Sequence, residues 1–197
     1  SRALDGQNVD VAKILGELLG LLRKPRYLGI AAKVWANVDT SGDVTKERLI
    51  YEDWRHRVAL KRNQELSDLE FQDVLRDLAT RTLDGARSFR GGEVAEFLPA
   101  RETRREMLEE LRTGGIFEDL GGRLTLRPER LALGLGLILV AELSELARGG
   151  VQVDLEEHAA RWLETHAGVD FKSTICHQAL LHALDSQTPA EVQVALL

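Results

Sequence analysis

Five histidines and a single cysteine are the side chains of this 197-residue chain with the reach for metal or nucleophile chemistry. His158 and His166 lie eight apart, and His177 and His182 lie five apart beside Cys176. A helical metal pair needs i,i+4 spacing so that both rings share one face, as in His-Glu-x-x-His. Neither spacing meets that need, so these read as ordinary surface or core histidines. Cys176 and His177 form no nucleophile–base dyad either, because adjacent helix residues point about 100° apart. Nothing in the set supports catalysis by this chain alone.

Phosphate and nucleic-acid chemistry fare little better. No Gly-x-x-x-x-Gly-Lys-[Ser/Thr] loop is present, and no Gly-Lys pair occurs at all. Leu137-Ile-Leu-Val140 before Ala141-Glu142 has the look of an apolar strand feeding a magnesium-binding acid, but the spacing is off by one. Pro128 upstream with Leu143 and Leu146 downstream make it a buried helix instead. The segment Arg101 to Arg112 offers Arg101, Arg104, Arg105 and Arg112 to a groove. Glu102, Glu106, Glu109 and Glu110 interleave with them and repel phosphates. It reads as a solvated mixed-charge face.

Composition bounds the rest. Hydrophobic residues at 44% and charged ones at 29% place the chain among ordinary globular proteins with a real core. A net charge of −6 gives no global attraction to nucleic acid or an anionic membrane. One cysteine excludes an internal disulfide and fits a reducing, cytoplasmic setting. The longest apolar run, Leu131 to Ala141, is far short of the roughly 20 residues a membrane span needs. Val11 to Leu22, broken by Lys13 and Glu17, does not read as a signal peptide. The chain begins with Ser1 and stops inside the apolar segment Glu191 to Leu197, which reads as a piece of a longer protein; the simpler reading is a short C-terminal helix docked on the core.

The elements that must position these residues are almost all helical. Apolar residues at Val11, Ile14, Leu18, Leu21 and Leu22 predict a first helix over 9–22. Pro25 opens a second, Tyr27 to about Asn37, stopped by the turn-forming Asp39-Thr-Ser-Gly-Asp43. Thr45 to about Arg62 predicts a charged helix with Leu49, Ile50, Trp54 and Val58 as its apolar stripe and Asp53–Arg57 as an i,i+4 pair. A linker at Asn63–Glu65 marks a domain boundary.

Ser67-Asp-Leu-Glu70 predicts a capping box for the next helix, with Phe71, Val74, Leu75, Leu78 and Ala79 inward. An extended stretch at Ser88-Phe89-Arg90, a small helix near Glu93 to Leu98 and a helix from about Arg101 to Thr113 follow. Gly114-Gly115 ends that helix, and Gly121-Gly122 predicts a tight hairpin turn. Pro128 then opens an apolar helix closed by Arg148-Gly149-Gly150. The order α-β-α-α-β-β is that of a winged helix. Asp154-Leu-Glu-Glu157 and Thr188-Pro-Ala-Glu191 predict capped helices beyond it, with Phe171 to Leu184 between them. Short antiparallel helices of this kind begin a helical arm.

On these residues the chain resembles STAND-class NTPases, especially the NACHT group. Leu21-Leu-Arg-Lys-Pro-Arg-Tyr-Leu28 resembles the segment after their nucleotide-binding core, where a helix ends at a proline with an apolar continuation. Tyr51-Glu-Asp-Trp-Arg-His-Arg57 resembles their next helix, and Ile116 to Leu143 their winged-helix domain. The resemblance spans about residues 10 to 145. It implies a small helical domain and winged helix that fold over bound ADP in the resting state and swing away on activation, permitting oligomerisation. Pro25 matches the proline that packs on adenine; its simpler role is the first residue of a helix. The histidine that reaches the phosphate falls on Arg127, a departure, although an arginine also reaches phosphate. Its simpler role is capping or surface duty.

The expectation is therefore a mainly α fold: a helical lid (1–62), a winged helix with a small β-hairpin wing (66–148) and the start of a helical arm (149–197). It implies a regulatory and interaction fragment with no catalysis, cofactor or metal of its own. ATP or ADP would belong to the parent protein. Its partners would be the parent's nucleotide-binding domain and proteins held by the arm, with no membrane. The alternative is a winged-helix transcription regulator with a helical sensor or dimerisation domain, a reading that the acidic wing Glu118-Asp119 disfavours. A helical scaffold protein is a third possibility.

Overall fold

Helix α1, Pro25–Val34, starts on a residue whose missing N–H costs nothing at a first helical position. In the computed structural model, residues 19–20, 22–38, 44–60, 66–149, 153–186 and 188–197 are described. They belong to two compact units, Ser1–Arg62 and Asn63–Leu197. Most of the helix predicted over 9–22, the turn at 39–43 and the linker at 63–65 lie outside the described residues.

In the first unit a 3₁₀ turn, Trp35–Asn37, continues α1. Helix α2 is Lys46–Leu60, and the Thr45 hydroxyl accepts from the Arg48 N–H at 3.2 Å as its cap. Leu49, Ile50 and Trp54 are buried as the periodicity predicts, and Tyr51 joins them with its ring 5.3 Å from that of Trp54. Ile30, Ala31, Val34, Trp35, Val38, Val44 and Leu49 form the core cluster with Leu22. Glu52 is also buried, with Arg48 at 3.4 Å and Arg55 at 3.8 Å. The side chains of Arg57 and Val58 lie outside the description, so the predicted Asp53–Arg57 pair does too.

The second unit opens with α3, Asp68–Leu83. Its capping box is made as expected: the Glu70 N–H donates to Ser67 Oγ and the Ser67 N–H to Glu70 Oε2, at 3.3 and 2.9 Å. Phe71, Val74, Leu75, Leu78 and Ala79 are all buried. Helix α4, Gly91–Glu96, and α5, Arg104–Thr113, follow. The α5 start falls three residues later than predicted, because Pro99 and Arg101 hold a turn with their carbonyls.

Strands β1, Phe117–Leu120, and β2, Arg123–Leu126, pair antiparallel in the register Phe117↔Leu126. Gly121 and Gly122 between them have φ of +63° and +83°, the two positive values a type I′ turn demands. Phe89 adds one further bridge to Leu124, with both backbone bonds at 2.8 Å.

Helix α6, Pro128–Arg148, is the spine of this unit. Around it lie α7, Leu155–His166, α8, Val169–Asp185, and α9, Ala190–Ala195. Asp154 caps α7 as predicted, accepting from the Glu157 N–H at 3.0 Å. The box predicted at Thr188 does not form. Pro189 occupies the N-cap, and the Thr188 hydroxyl bonds Ser186 Oγ instead.

Two glycines set how α6 packs. A Cβ on Gly134 would fall 2.8 Å from Ala79 Cβ and 3.0 Å from the Leu75 carbonyl oxygen on α3. One on Gly136 would fall 2.9 Å from the Ala179 nitrogen and 3.2 Å from its Cα on α8. One hydrophobic cluster consequently runs from Ala79 through Leu135, Leu139 and Leu143 to Trp162, Ile175, Ala183 and Val192. Gly136→Ala is expected to destabilise this unit by about 1–3 kcal/mol, since overpacking outweighs the better helix propensity of alanine. Gly29→Ala, with open space around the site on α1, should instead add up to about 1 kcal/mol. Thermal or urea unfolding of both variants checks the opposite signs.

Candidate functional site

Most of the arginines between Arg101 and Arg112, which the sequence offers to a phosphate, are engaged with other groups. Arg101 donates to Glu70, which binds it to the α3 cap. Arg104 turns inward, with Nε 3.4 Å from the Pro99 oxygen and Nη2 3.5 Å from that of Leu98. Arg112 reaches across to the hairpin and donates to Asp119 Oδ2 at 2.7 Å. Arg105 is left exposed on α5.

Asp119 organises the hairpin tip. Its other oxygen accepts from the Gly122 N–H at 2.9 Å, holding the turn from inside. The Arg112 hydrogen bond, seconded by that backbone N–H, holds its carboxyl below the usual aspartate range. The sequence reads here as an acidic wing, and the Asp119-x-x-Gly122 spacing is the signal in it for a side-chain-stabilised turn. Glu70 is likewise held low, first by the Ser67 N–H and hydroxyl and then by Arg101.

Arg127 is the N-cap residue of α6. Its N–H donates to the Ile116 oxygen at 3.0 Å and its Nε to that of Phe117 at 3.2 Å. Nη1 lies 3.6 Å from Glu118 Oε1. The guanidinium thereby fastens β1 to the start of α6, leaving the side chain 28% exposed. Pro25, the other residue matched to a nucleotide contact, is exposed at the first position of α1. It belongs to the first unit and Arg127 to the second.

The histidines serve as joints between and along helices. His158 Nε2 lies 2.7 Å from Glu142 Oε1, tying α7 to α6. His166 bonds the Trp162 oxygen and stacks at 4.6 Å on that ring. His177 bonds the Ser173 oxygen at 2.8 Å. Burial pushes the His182 pKa down, with Asp185 opposing. The Cys176 thiol, pushed up by burial, donates to the Leu196 oxygen at 3.3 Å. Leu137 to Glu142 lie within α6, as the helical reading predicts. Among the described residues no group of three or more His, Cys, Asp or Glu side chains is placed to hold a metal ion, and no helix is long and apolar enough to cross a membrane.

The surface of the second unit is recessed in places. A cleft of about 200 Å³ lies between the end of α3 and α4, lined by Arg81, Asp84, Phe89, Glu96 and Phe97 among others. Glu93, also part of it, is used to accept from the Arg90 N–H. An open groove of about 450 Å³ runs between α7 and α9. Compared with protein-family models, curated proteins and solved structures, the chain gives no match.

The Arg112–Asp119 bond makes a pH-dependent prediction. A depressed carboxyl pKa contributes stability at neutral pH that is lost as pH falls through the folded-state value. Carboxyl ¹³C titration by NMR should place Asp119 below the ordinary aspartate range of about 3.9. Arg112→Ala should raise it toward that range. An Asp119 titration unchanged by the substitution would show that the bond does not hold in solution.

Proposed function

We propose that this chain is the regulatory and interaction part of a STAND-class, NACHT-like signalling NTPase. In this reading 1–62 is a helical lid, 66–148 a winged helix and 149–197 the start of a helical arm. The observation that carries it is the dual packing of α6: one helix faces α3 through Gly134 and α8 through Gly136. A head continuous with an arm suits a part that transmits nucleotide state to bound partners, rather than a reading head on a free linker. The Phe89–Leu124 bridge supports the winged-helix order, because it sets one extended residue after α3 against the hairpin.

The occupied arginines weigh in the same direction. DNA recognition by α5 needs cations free for phosphates, whereas Arg101, Arg104 and Arg112 are spent on Glu70, two carbonyls and Asp119. Arg127, fastened to Phe117 and Glu118, serves first as the joint between hairpin and α6. Contact with a phosphate of ADP or ATP would engage its remaining exposed edge. The nucleotide itself would be held by the parent protein's core domain.

Two measurements test this. Isothermal titration of the chain alone with ADP and ATP should give weak binding or none; sub-micromolar affinity would contradict a site that lies mostly in another domain. Reading the coding sequence upstream of Ser1 should reveal a phosphate loop. Its absence there would overturn the assignment.

A further inference from the structure

We infer that the cleft between the end of α3 and α4 is a binding site for a free basic α-amino acid. Helical spacing sets its charged lining. Arg81 and Asp84 lie three apart at the end of α3. Glu93, Glu96 and Phe97 fall at i, i+3 and i+4 along α4 and its cap, so each set shares one side of its helix. Phe89, buried, completes the wall and is fixed by two backbone bonds to Leu124 at 2.8 Å. That bridge is on the edge of β2 away from β1, the strand that Arg127 fastens. The cleft therefore draws on none of the residues matched to a nucleotide.

The charges are of both signs and mostly unspent. Among the described residues the side chains of Arg81, Asp84 and Glu96 make no hydrogen bond or ion pair. Glu93 gives one oxygen to the Arg90 N–H. A ligand that answers both signs brings a carboxylate for the Arg81 fork and an ammonium for the carboxylates opposite. Three carboxylates against one guanidinium leave the lining net negative, which favours a second cation on the ligand. Phe89 and Phe97 offer apolar contact to the methylene stem of such a side chain. At about 200 Å³ the cleft is smaller than the pockets of about 300 Å³ and more that hold drug-sized ligands, and suits one amino acid.

Other occupants answer less of the lining. A phosphate or other simple anion would meet three carboxylates. A lysine or arginine side chain of a partner protein would bring no carboxylate to Arg81 and would face its like charge. The inference goes beyond the NTPase reading and stands on this cleft alone. The upstream sequence decides that assignment independently, so the two can fail separately.

The test is ¹H–¹⁵N NMR titration of the intact chain with L-lysine, L-lysine methyl ester and L-glutamate. L-Lysine should shift the amides of Ala86, Phe89 and Phe97 saturably, with a Kd of about 1 mM or tighter. L-Glutamate should bind about tenfold more weakly or worse. So should the methyl ester, which is more cationic but has lost the carboxylate. Arg81→Met should weaken lysine about tenfold and leave the ester unweakened, a split that a structural role for Arg81 would not produce. Asp84→Asn with Glu96→Gln should weaken both ligands by about tenfold. All three positions are exposed, so the thermal midpoint should stay unchanged, and the comparison of lysine with its ester needs no variant. A distant pair, Glu102→Gln with Glu106→Gln, should change affinity by less than about twofold. Absence of saturable shifts at these amides would overturn the site. An ester that binds as tightly as lysine would overturn it too, since the cleft would then take any cation. So would equal loss from the distant pair, which would reduce the effect to net charge.

Discussion

The second unit is organised by how closely α6 can approach its neighbours on two sides at once. Residues two apart on an α-helix point about 200° from each other, so Gly134 and Gly136 lie on nearly opposite faces of α6. One face admits the backbone and Ala79 of α3, and the other the backbone of α8 at Ala179. Each glycine forgoes roughly a kilocalorie of helix propensity relative to alanine. In return the helix axes draw together, and Leu135, Leu139 and Leu143 fill one continuous core. Interiors this dense do not deform gradually. A shift of α6 must therefore be felt by α3 and α8 together.

The hairpin inherits that rigidity. Arg127 fastens β1 to the first turn of α6, Arg112 fastens α5 to the hairpin tip, and Phe89 bonds to β2. Each bond is modest on its own, about a kilocalorie net, but they converge on the same four-residue strands. Arg101, Arg104 and Arg112, which the sequence offers to a ligand, are thus spent on holding this part of the unit together.

Much of the local structure was legible because its causes are local. Ser67 and Glu70 satisfy each other's backbone donors within one turn, and Gly121-Gly122 satisfies a turn by backbone conformation alone. The apolar register of α3 likewise needs only its own periodicity. Features that depend on competing neighbours or on distant partners were not legible. Thr188 has the sequence of a cap, yet its hydroxyl is taken by Ser186 and Pro189 stands in the capping position. Arg101 reads as the start of a helix, yet the turn at Pro99 postpones it to Arg104. The mixed charges of α5 correctly marked a solvated face, but nothing in their spacing showed that Arg104 turns toward carbonyls and Arg112 toward the hairpin. Gly134 and Gly136 sit in a run that reads simply as buried helix, because close approach is a property of the neighbours. The groove on α7 and α9 was hidden for the same reason, its lining residues being more than 30 positions apart.

The central claim is that α6 couples α3 and the hairpin-bearing part of the unit to α8. Native-state hydrogen exchange on the wild-type chain and Gly136→Ala tests it most directly, by reading opening free energies helix by helix. The account predicts that amides of α3, α6 and α8 open with a common free energy, and that Gly136→Ala lowers protection in α3 along with α8. Loss of protection confined to α8 and α9, with α3 unchanged, would contradict it.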